Sequence, residues 1–229
     1  MAPATPVFTR ETFRFFRDLG RNNRTAWMSE NRERYKFCVV QPFRRLLEEL
    51  TPAVLDLDSR FDISGRTGTN FSRINRDIRF AKDKTPYRTQ MYLTFSIPVA
   101  GDEESGQLYA GVSTAAVTAG FRIYTSGKRK DSILARIGEA RVHADPKWPG
   151  KQKKRLGRGY ESYWYAKEKS EWTKRPGWPT AVDEWEKILG WVVRCKTSPA
   201  GATRSSFPRD VMKIFRDLYP LLRFSTLPD

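Results

Sequence analysis

Between Arg66 and Arg88 the chain carries seven basic residues, Arg66, Arg73, Arg76, Arg79, Lys82, Lys84 and Arg88, against two acids, Asp77 and Asp83. Arginine is suited to fixing phosphate or carboxylate, because its planar fork donates paired hydrogen bonds and stays charged. Arg73, Arg76, Arg79, Lys82, Lys84, Tyr87 and Arg88 are therefore the candidate ligand-binding residues. Asp77 and Asp83 are the acid–base candidates of a catalytic reading. With Lys82 or Lys84 they could serve metal-dependent phosphoryl transfer, although they match no paired-carboxylate motif. Other chemistries have few tools. His143 is the single histidine, which excludes a His-rich zinc site and argues against Ser-His-Asp and Cys-His systems. Cys38 and Cys195 are too far apart in sequence to form a metal knuckle by themselves. No metal site is expected, and the residues name no cofactor. A phosphate-binding G-x-x-x-x-G-K-[ST] loop is absent, and Gly65-Arg-Thr-Gly68 lacks the context of a dinucleotide fingerprint.

The elements that must position these charges follow from hydrophobic periodicity. From Phe71 the period is two: Ile74, Ile78 and Phe80 point one way, and Phe71, Arg73, Asn75, Asp77 and Arg79 the other. Tyr87 to Ile97 alternates in the same manner, so residues 81–86 are expected to close a hairpin. On such a strand Arg73 and Arg79 stand roughly 20 Å apart, too far to grip one small anion, whereas Arg73 and Asn75 are neighbours on one face. Arg76 falls on the apolar face, where a charge is costly without a partner. Glu30 or Glu33 on a helix is the expected partner, or else Arg76 lines a pocket between helices and sheet. The bland alternative is that alternating Arg and Asp pair with each other and that Asp83 caps the loop.

Three helices are expected before the sheet. The first begins at Thr9 with Phe13, Phe16 and Leu19 inward; the second is capped by Asn22 or Asn23 and runs past Trp27 and Tyr35, read as packing residues, to Cys38. The third has Pro42 in its first turn and Phe43, Leu46, Leu47 and Leu50 inward until Pro52 disturbs it. Leu108–Ser113 and Val117–Thr125 are β-compatible, giving an antiparallel sheet of about four or more strands. Ile133, Leu134 and Ile137 suggest a helix ending near Gly138. The stretch Lys147–Arg158, with six basic residues and no acid, reads as a loop or edge. Trp178-Pro179 introduces a helix with Val182, Trp185, Ile188 and Leu189 inward, Trp191–Lys196 a strand, and Ser206-Phe-Pro a closing helix with Val211, Ile214, Phe215 and Leu218 inward. Consecutive strands favour an α+β fold with N-terminal helices at 9–58, a sheet at 70–125 and a mixed tail at 126–229, as a single domain.

Composition bounds the partners. The chain has 229 residues, 39% hydrophobic and 13% aromatic, enough to bury a core, and a net charge of +16 that attracts nucleic acid, acidic headgroups or small phosphates. Two cysteines point to a reducing cytoplasm. No apolar run approaches the ~20 residues of a membrane span, and the amino terminus lacks the basic and apolar regions of a signal peptide. Basic residues interleaved with Tyr160, Tyr163, Trp164 and Tyr165 could neutralise phosphates and stack on bases, although the alternation of Tyr163, Trp164 and Tyr165 equally fits a core strand.

Asn22-Asn23-Arg24-Thr-Ala-Trp27, Tyr35, Pro42 and above all Arg73-Ile-Asn-Arg-Asp-Ile-Arg-Phe-Ala-Lys-Asp-Lys-Thr-Pro-Tyr-Arg88 resemble the domain-of-unknown-function 2461 family. The resemblance covers Phe8–Phe95 and departs from the family's signature mainly at Ala81 and Arg88. Past Ser96 it thins to Gly157-Arg-Gly-Tyr160 and Leu218-Tyr-Pro-Leu-Leu222, which leaves room for features particular to this chain. The family brings no catalytic residue to transfer. The leading expectation is binding of a phosphate-bearing or other anionic ligand, nucleic acid included, at the basic hairpin. The alternatives are an enzyme acting on a small anionic substrate in an Arg-lined pocket and a protein-interaction role in which the charges form an internal ion-pair network.

Overall fold

The computed structural model describes residues 5–98, 105–125, 140–168, 171–185 and 187–225. The fold is α+β, with six strands ordered β1-β2-β3-β6-β4-β5 in an antiparallel sheet and helices at both ends of the chain. The strands are β1 (Gln90–Ser96), β2 (Gln107–Ser113), β3 (Val117–Tyr124), β4 (Glu161–Glu168), β5 (Glu171–Pro176) and β6 (Ile188–Thr197). The chain divides into two compact units, one of Met1–Phe95, Tyr109–Thr118 and Lys196–Lys213, the other of Ser96–Leu108, Ala119–Cys195 and Ile214–Asp229.

In the first unit α1 (Arg10–Arg21) starts after Thr9 as expected and buries Phe13, Phe16 and Leu19. Asn22 and Asn23 do not cap the next helix, whose N-cap is Arg24. Asn22 instead donates to the Asp18 carbonyl at the end of α1 (3.0 Å), and Asn23 is used elsewhere. After α2 (Thr25–Glu30), α3 (Arg32–Tyr35), a π-helical turn (Lys36–Val40) and α4 (Gln41–Leu57) follow one another without a break. The expected second and third helices therefore meet through one widened turn. Pro42 sits in the first turn of α4, and Phe43, Leu46, Leu47 and Leu50 are buried. Pro52 does not end α4: the N–H it lacks would have bonded the carbonyl of Glu48, an exposed residue whose carbonyl water can satisfy.

The expected strand over 71–80 does not form. Its alternation of exposure survives, with Arg73, Asn75, Asp77 and Arg79 exposed and Ile74, Arg76 and Ile78 half-buried. Pairing is reduced to two isolated antiparallel bridges, Phe71 with Leu93 and Asn75 with Tyr87. The register slips by two residues between them, so no continuous ladder can run from one to the other. The backbone bonds across the loop near Asn75 are Arg76 N–H to Pro86 O (2.8 Å) and Arg88 N–H to Ile74 O (2.7 Å). Two tight turns around Asp77 and Asp83 absorb the rest of the backbone.

In the second unit the Lys147–Arg158 stretch is not a loop but helix α5 (Trp148–Leu156) running into a 3-10 turn at Gly157–Gly159. Pro149 is tolerated in its first turn, and Lys153, Lys154 and Arg155 occupy its last turn, where cations complement the helix dipole. Trp148 stacks on Phe224 with centroids 3.8 Å apart. The helix expected from Trp178 shrinks to α6 (Val182–Trp185); Ile188 and Leu189 belong to β6, which extends the expected 191–196 strand at both ends. Tyr163, Trp164 and Tyr165 do alternate on β4, with Trp164 buried. A short α7 (Pro199–Ala202), which belongs to the first unit, precedes α8 (Phe207–Ser225), whose residues up to Lys213 belong to the first unit and from Ile214 to the second. Val211, Phe215 and Leu218 of α8 are buried, with Ile214 half-buried. The helix expected around Ile133–Ile137 lies outside the described residues. Among the described residues no helix is long and apolar enough to cross a membrane.

Candidate functional site

The root of the basic segment is fixed by hydrogen bonds that its sequence does not advertise. Gly65 and Gly68 adopt φ of +68° and +95°, the left-handed region. They fold the chain so that the Arg66 carbonyl accepts the N–H groups of Asn70 (2.9 Å) and Phe71 (3.1 Å). Asn70 is fully buried; its amide accepts from Gly65 N–H (2.8 Å) and donates to the carbonyls of Asp62 (2.8 Å) and Thr94 (3.0 Å). The Thr94 hydroxyl donates to Thr69 O (2.6 Å), and Ser72 Oγ accepts Tyr92 N–H (2.9 Å). At the far end Asn23 clips the backbone of Tyr87, accepting its N–H (3.0 Å) and donating to its carbonyl (2.8 Å). Residues 70–75 and 87 are thus held from both sides.

A cavity of about 430 Å³ opens at this root. Tyr35, Val40 and Arg44 line it from the helices; Thr67, Phe71 and the run Ser72, Arg73, Ile74 and Asn75 line it from the loop; Met91 lines it from β1. The π-helical turn explains the helical wall. In an unbroken α-helix, residues four apart follow one face, and Tyr35 would be continued by Val39 and Phe43. One i→i+5 turn advances the register by a residue, so the face runs Tyr35, Val40, Arg44, while Val39 and Phe43 go to the core.

Among the described residues neither Arg44 nor Arg73 makes an ion pair, and no acid, histidine or cysteine lines the cavity. Arg73 lies beside the Gly68 turn, with its guanidinium 3.9 Å from where a Cβ on Gly68 would sit. Burial pushes the Tyr35 phenol above its ordinary pKa, Arg32 opposing, so its hydroxyl is a neutral donor. The cavity therefore offers two cationic forks, neutral donors and acceptors from Tyr35, Thr67, Ser72 and Asn75, and an apolar floor.

The tip of the segment is the reverse. Arg76 does not reach Glu30 or Glu33: its guanidinium donates to the Asp83 carboxylate (2.5 Å), to the Thr85 hydroxyl and to Thr85 O (3.1 Å). The local turn sets Asp83 beside Arg76. Asp83 caps that turn through Thr85 N–H (2.9 Å), and this bond, with Arg76 and the Thr85 hydroxyl, lowers its pKa to about 2. Arg79 makes a two-pronged contact with Asp77 (3.0 and 2.7 Å), which holds Asp77 below its usual range. Lys84 donates to the carbonyls of Ile78 (3.0 Å) and Arg79 (3.4 Å). Lys82 and Arg88 are exposed, and the ring of Tyr87 is buried. Of the candidates read from sequence, the structure places Arg73 in the cavity, with its face-neighbour Asn75. Arg76, Arg79, Lys84, Asp77 and Asp83 are tied together at the tip. Periodicity and motif spacing do not point to Arg44 or Asn70, Asn23 clips Tyr87 rather than capping a helix, and Tyr35 packs on Phe15 (5.6 Å) while also lining the cavity.

Elsewhere the nucleophiles are quiet. Burial raises the pKa of both the Cys38 and Cys195 thiols, which keeps them protonated near neutrality. Tyr160 donates to Asp217 (2.7 Å), and burial with this bond raises its pKa. Among the described residues no group of three or more His, Cys, Asp or Glu side chains gathers as a metal site.

An α+β fold with helices on either side of an antiparallel sheet in sequence, and an Arg-lined cavity at the root of a charged loop, defines the class structurally. The chain belongs to the conserved hypothetical protein family DUF2461, whose family model matches residues 11–224. That span includes the carboxy-terminal half, where the sequence resemblance had thinned to two fragments. No curated protein matches the chain.

Proposed function

We propose that this protein binds a small anionic molecule, a phosphate or carboxylate attached to an apolar body, in the cavity between Tyr35, Arg44 and Arg73. The observation that carries the reading is the pair of arginines without acid partners facing one cavity that contains no acid. A guanidinium left without a carboxylate beside a concave, partly apolar surface is a ready anion receptor. Phe71, Ile74 and Met91 supply the apolar contact, and Tyr35 and Ser72 supply further donors. Ligand recognition is favoured over catalysis because the lining holds no carboxylate, imidazole or thiol to move a proton or attack. Nucleic-acid binding at the hairpin tip is less favoured because Arg76 and Arg79 are already paired with Asp83 and Asp77, which leaves Lys82 and Lys84 as its cations without acid partners among the described residues. The free thiols of Cys38 and Cys195 suit a reducing compartment.

Isothermal titration with phenyl phosphate, benzoate and inorganic phosphate tests the proposal. Phenyl phosphate is expected to bind with one site per chain, and the Arg44→Ala, Arg73→Ala double variant to lose that heat while keeping its melting temperature. Absence of binding by every probe, or equal binding by the double variant, overturns it.

A further inference from the structure

The second unit carries an aromatic surface that the cavity does not use. Strand register puts Tyr163 and Tyr165 of β4, Trp172 and Lys174 of β5, and Gly190 and Arg194 of β6 on one face of the sheet. The opposite face takes Trp164, Ala166, Trp191 and Val193, all buried. A solvent-side sheet face ordinarily carries polar residues, yet this one keeps Trp172 45% and Tyr124 37% exposed, with Tyr163 and Tyr165 half-buried. The rings form a connected row, Trp172 to Tyr165 at 5.8 Å, Tyr165 to Tyr163 at 5.9 Å and Tyr124 to Tyr165 at 5.9 Å between centroids. Tyr124 is brought into the row by Gly190, where a Cβ would come within 2.5 Å of its ring.

Cations border the row. Lys174 Nζ stands 3.9 Å over the Tyr163 ring and the Arg194 guanidinium 5.1 Å from its centroid. Glu161, the acid on this face, is spoken for by Arg194 at 2.5 Å, and Lys174 makes no ion pair among the described residues. At the same end the 3-10 turn carrying Arg158 leads directly into β4, and its Gly159 carbonyl accepts from Cys195 Sγ (3.1 Å) on β6. Arg158, Lys153 and Lys154 are exposed and likewise without ion pairs among the described residues.

We infer that this face binds single-stranded nucleic acid, with bases stacking on Trp172 and Tyr165 and phosphates running past Lys174 and Arg194. Flat sheet faces with exposed rings and flanking cations suit unpaired bases, which a duplex keeps stacked inside itself. Charge complementarity selects the occupant: the bordering groups are net positive, as a polyanion requires and an acid-poor apolar protein patch does not. The inference is independent of the cavity.

Fluorescence anisotropy of labelled oligouridylate and oligothymidylate of about twelve nucleotides, with a duplex of equal length, tests it on the full chain. The single strands are expected to bind more tightly than the duplex. Trp172→Ala and Tyr165→Ala should each weaken single-strand binding between about fivefold and a hundredfold, while Trp172→Phe, which keeps a π face, retains most of it. Lys174→Ala should reduce the salt slope by about 0.7. Circular dichroism of these variants should match the parent. Arg44→Ala, Arg73→Ala should bind the strands as the parent does. Failure of single strands to bind at low salt overturns the inference. So does unchanged affinity in Trp172→Ala and Tyr165→Ala, or strand binding lost with the cavity arginines instead.

Discussion

At the tip of the 66–88 segment Arg76 meets Asp83 and Arg79 meets Asp77; at its root Arg73 meets no acid and shares a cavity with Arg44. Both regions come from one basic stretch, and a count of charges along it favours the tip, where the arginines crowd. The structure shows that crowding brought acids with it. What is left over for a ligand is decided by which guanidinium the backbone turns away from the local carboxylates; Arg73 and Arg88 both lack an acid partner among the described residues, and of the two Arg73 lines the cavity. The two regions also differ in how they are held. The root hangs on buried hydrogen bonds through Asn70, Thr94 and Asn23, while the tip depends on exposed pairs, which contribute little in water.

This contrast can be broken most severely at Asn70. Asn70→Ala leaves the Gly65 N–H and the Asp62 and Thr94 carbonyls without their partner in a buried setting, and should cost about 3 kcal/mol in urea unfolding. A cost below about 1 kcal/mol would mean the root is not anchored as described. Next comes the cavity: Arg73→Ala alone should weaken phenyl phosphate binding by about tenfold or more, with stability within about 0.5 kcal/mol of the parent, since a charged hydrogen bond contributes about 1.5–3 kcal/mol. At the tip Arg76→Met should destabilise by less than about 1 kcal/mol, because Asp83 is well exposed, and should leave binding unchanged. Arg79→Ala, at an exposed pair, should change neither stability nor affinity measurably.

Acid sharpens the same comparison. The folded pKa of Asp83, about 2, lies below the ~3.9 of an unfolded chain, so its contribution to loop order is complete above pH 4 and is lost as pH falls from about 4 toward 2. A carbon-detected titration of the Asp83 carboxyl should show a midpoint near 2 in the parent and a higher one in Arg76→Met. The cavity-lining residues Ser72, Arg73, Ile74 and Asn75, with no acid in the lining, should keep their amide shifts through that range.

Periodicity made much of the scaffold legible. Thr9 as a helix start, the buried stripe Phe43, Leu46, Leu47 and Leu50, and the closing helix with Val211, Phe215 and Leu218 all follow from residues three and four apart. Arg44 was hidden because the π-helical turn shifts the face by one residue, and a period of 3.6 carried across Lys36–Val40 assigns that face to Val39 and Phe43. The 71–80 strand was over-read because its exposure alternates even though its bridges slip register, and alternation reports burial rather than pairing. β5 was not read at all: nearly every residue in it is exposed, so it leaves no periodic trace. The pairing of Arg76 depended on a seven-residue loop closing on itself, which no helix or strand rule describes.

The central claim is that Arg73 at the root, and not Arg76 or Arg79 at the tip, is the arginine of the 73–79 run left without an acid partner among the described residues. The most direct test follows the arginine Nε–H resonances by NMR as phenyl phosphate is added to the full chain. The account predicts saturable shifts for Arg44 and Arg73 and unmoved signals for Arg76 and Arg79. Shifts spread evenly over the segment, or confined to Arg76 and Arg79, would contradict it.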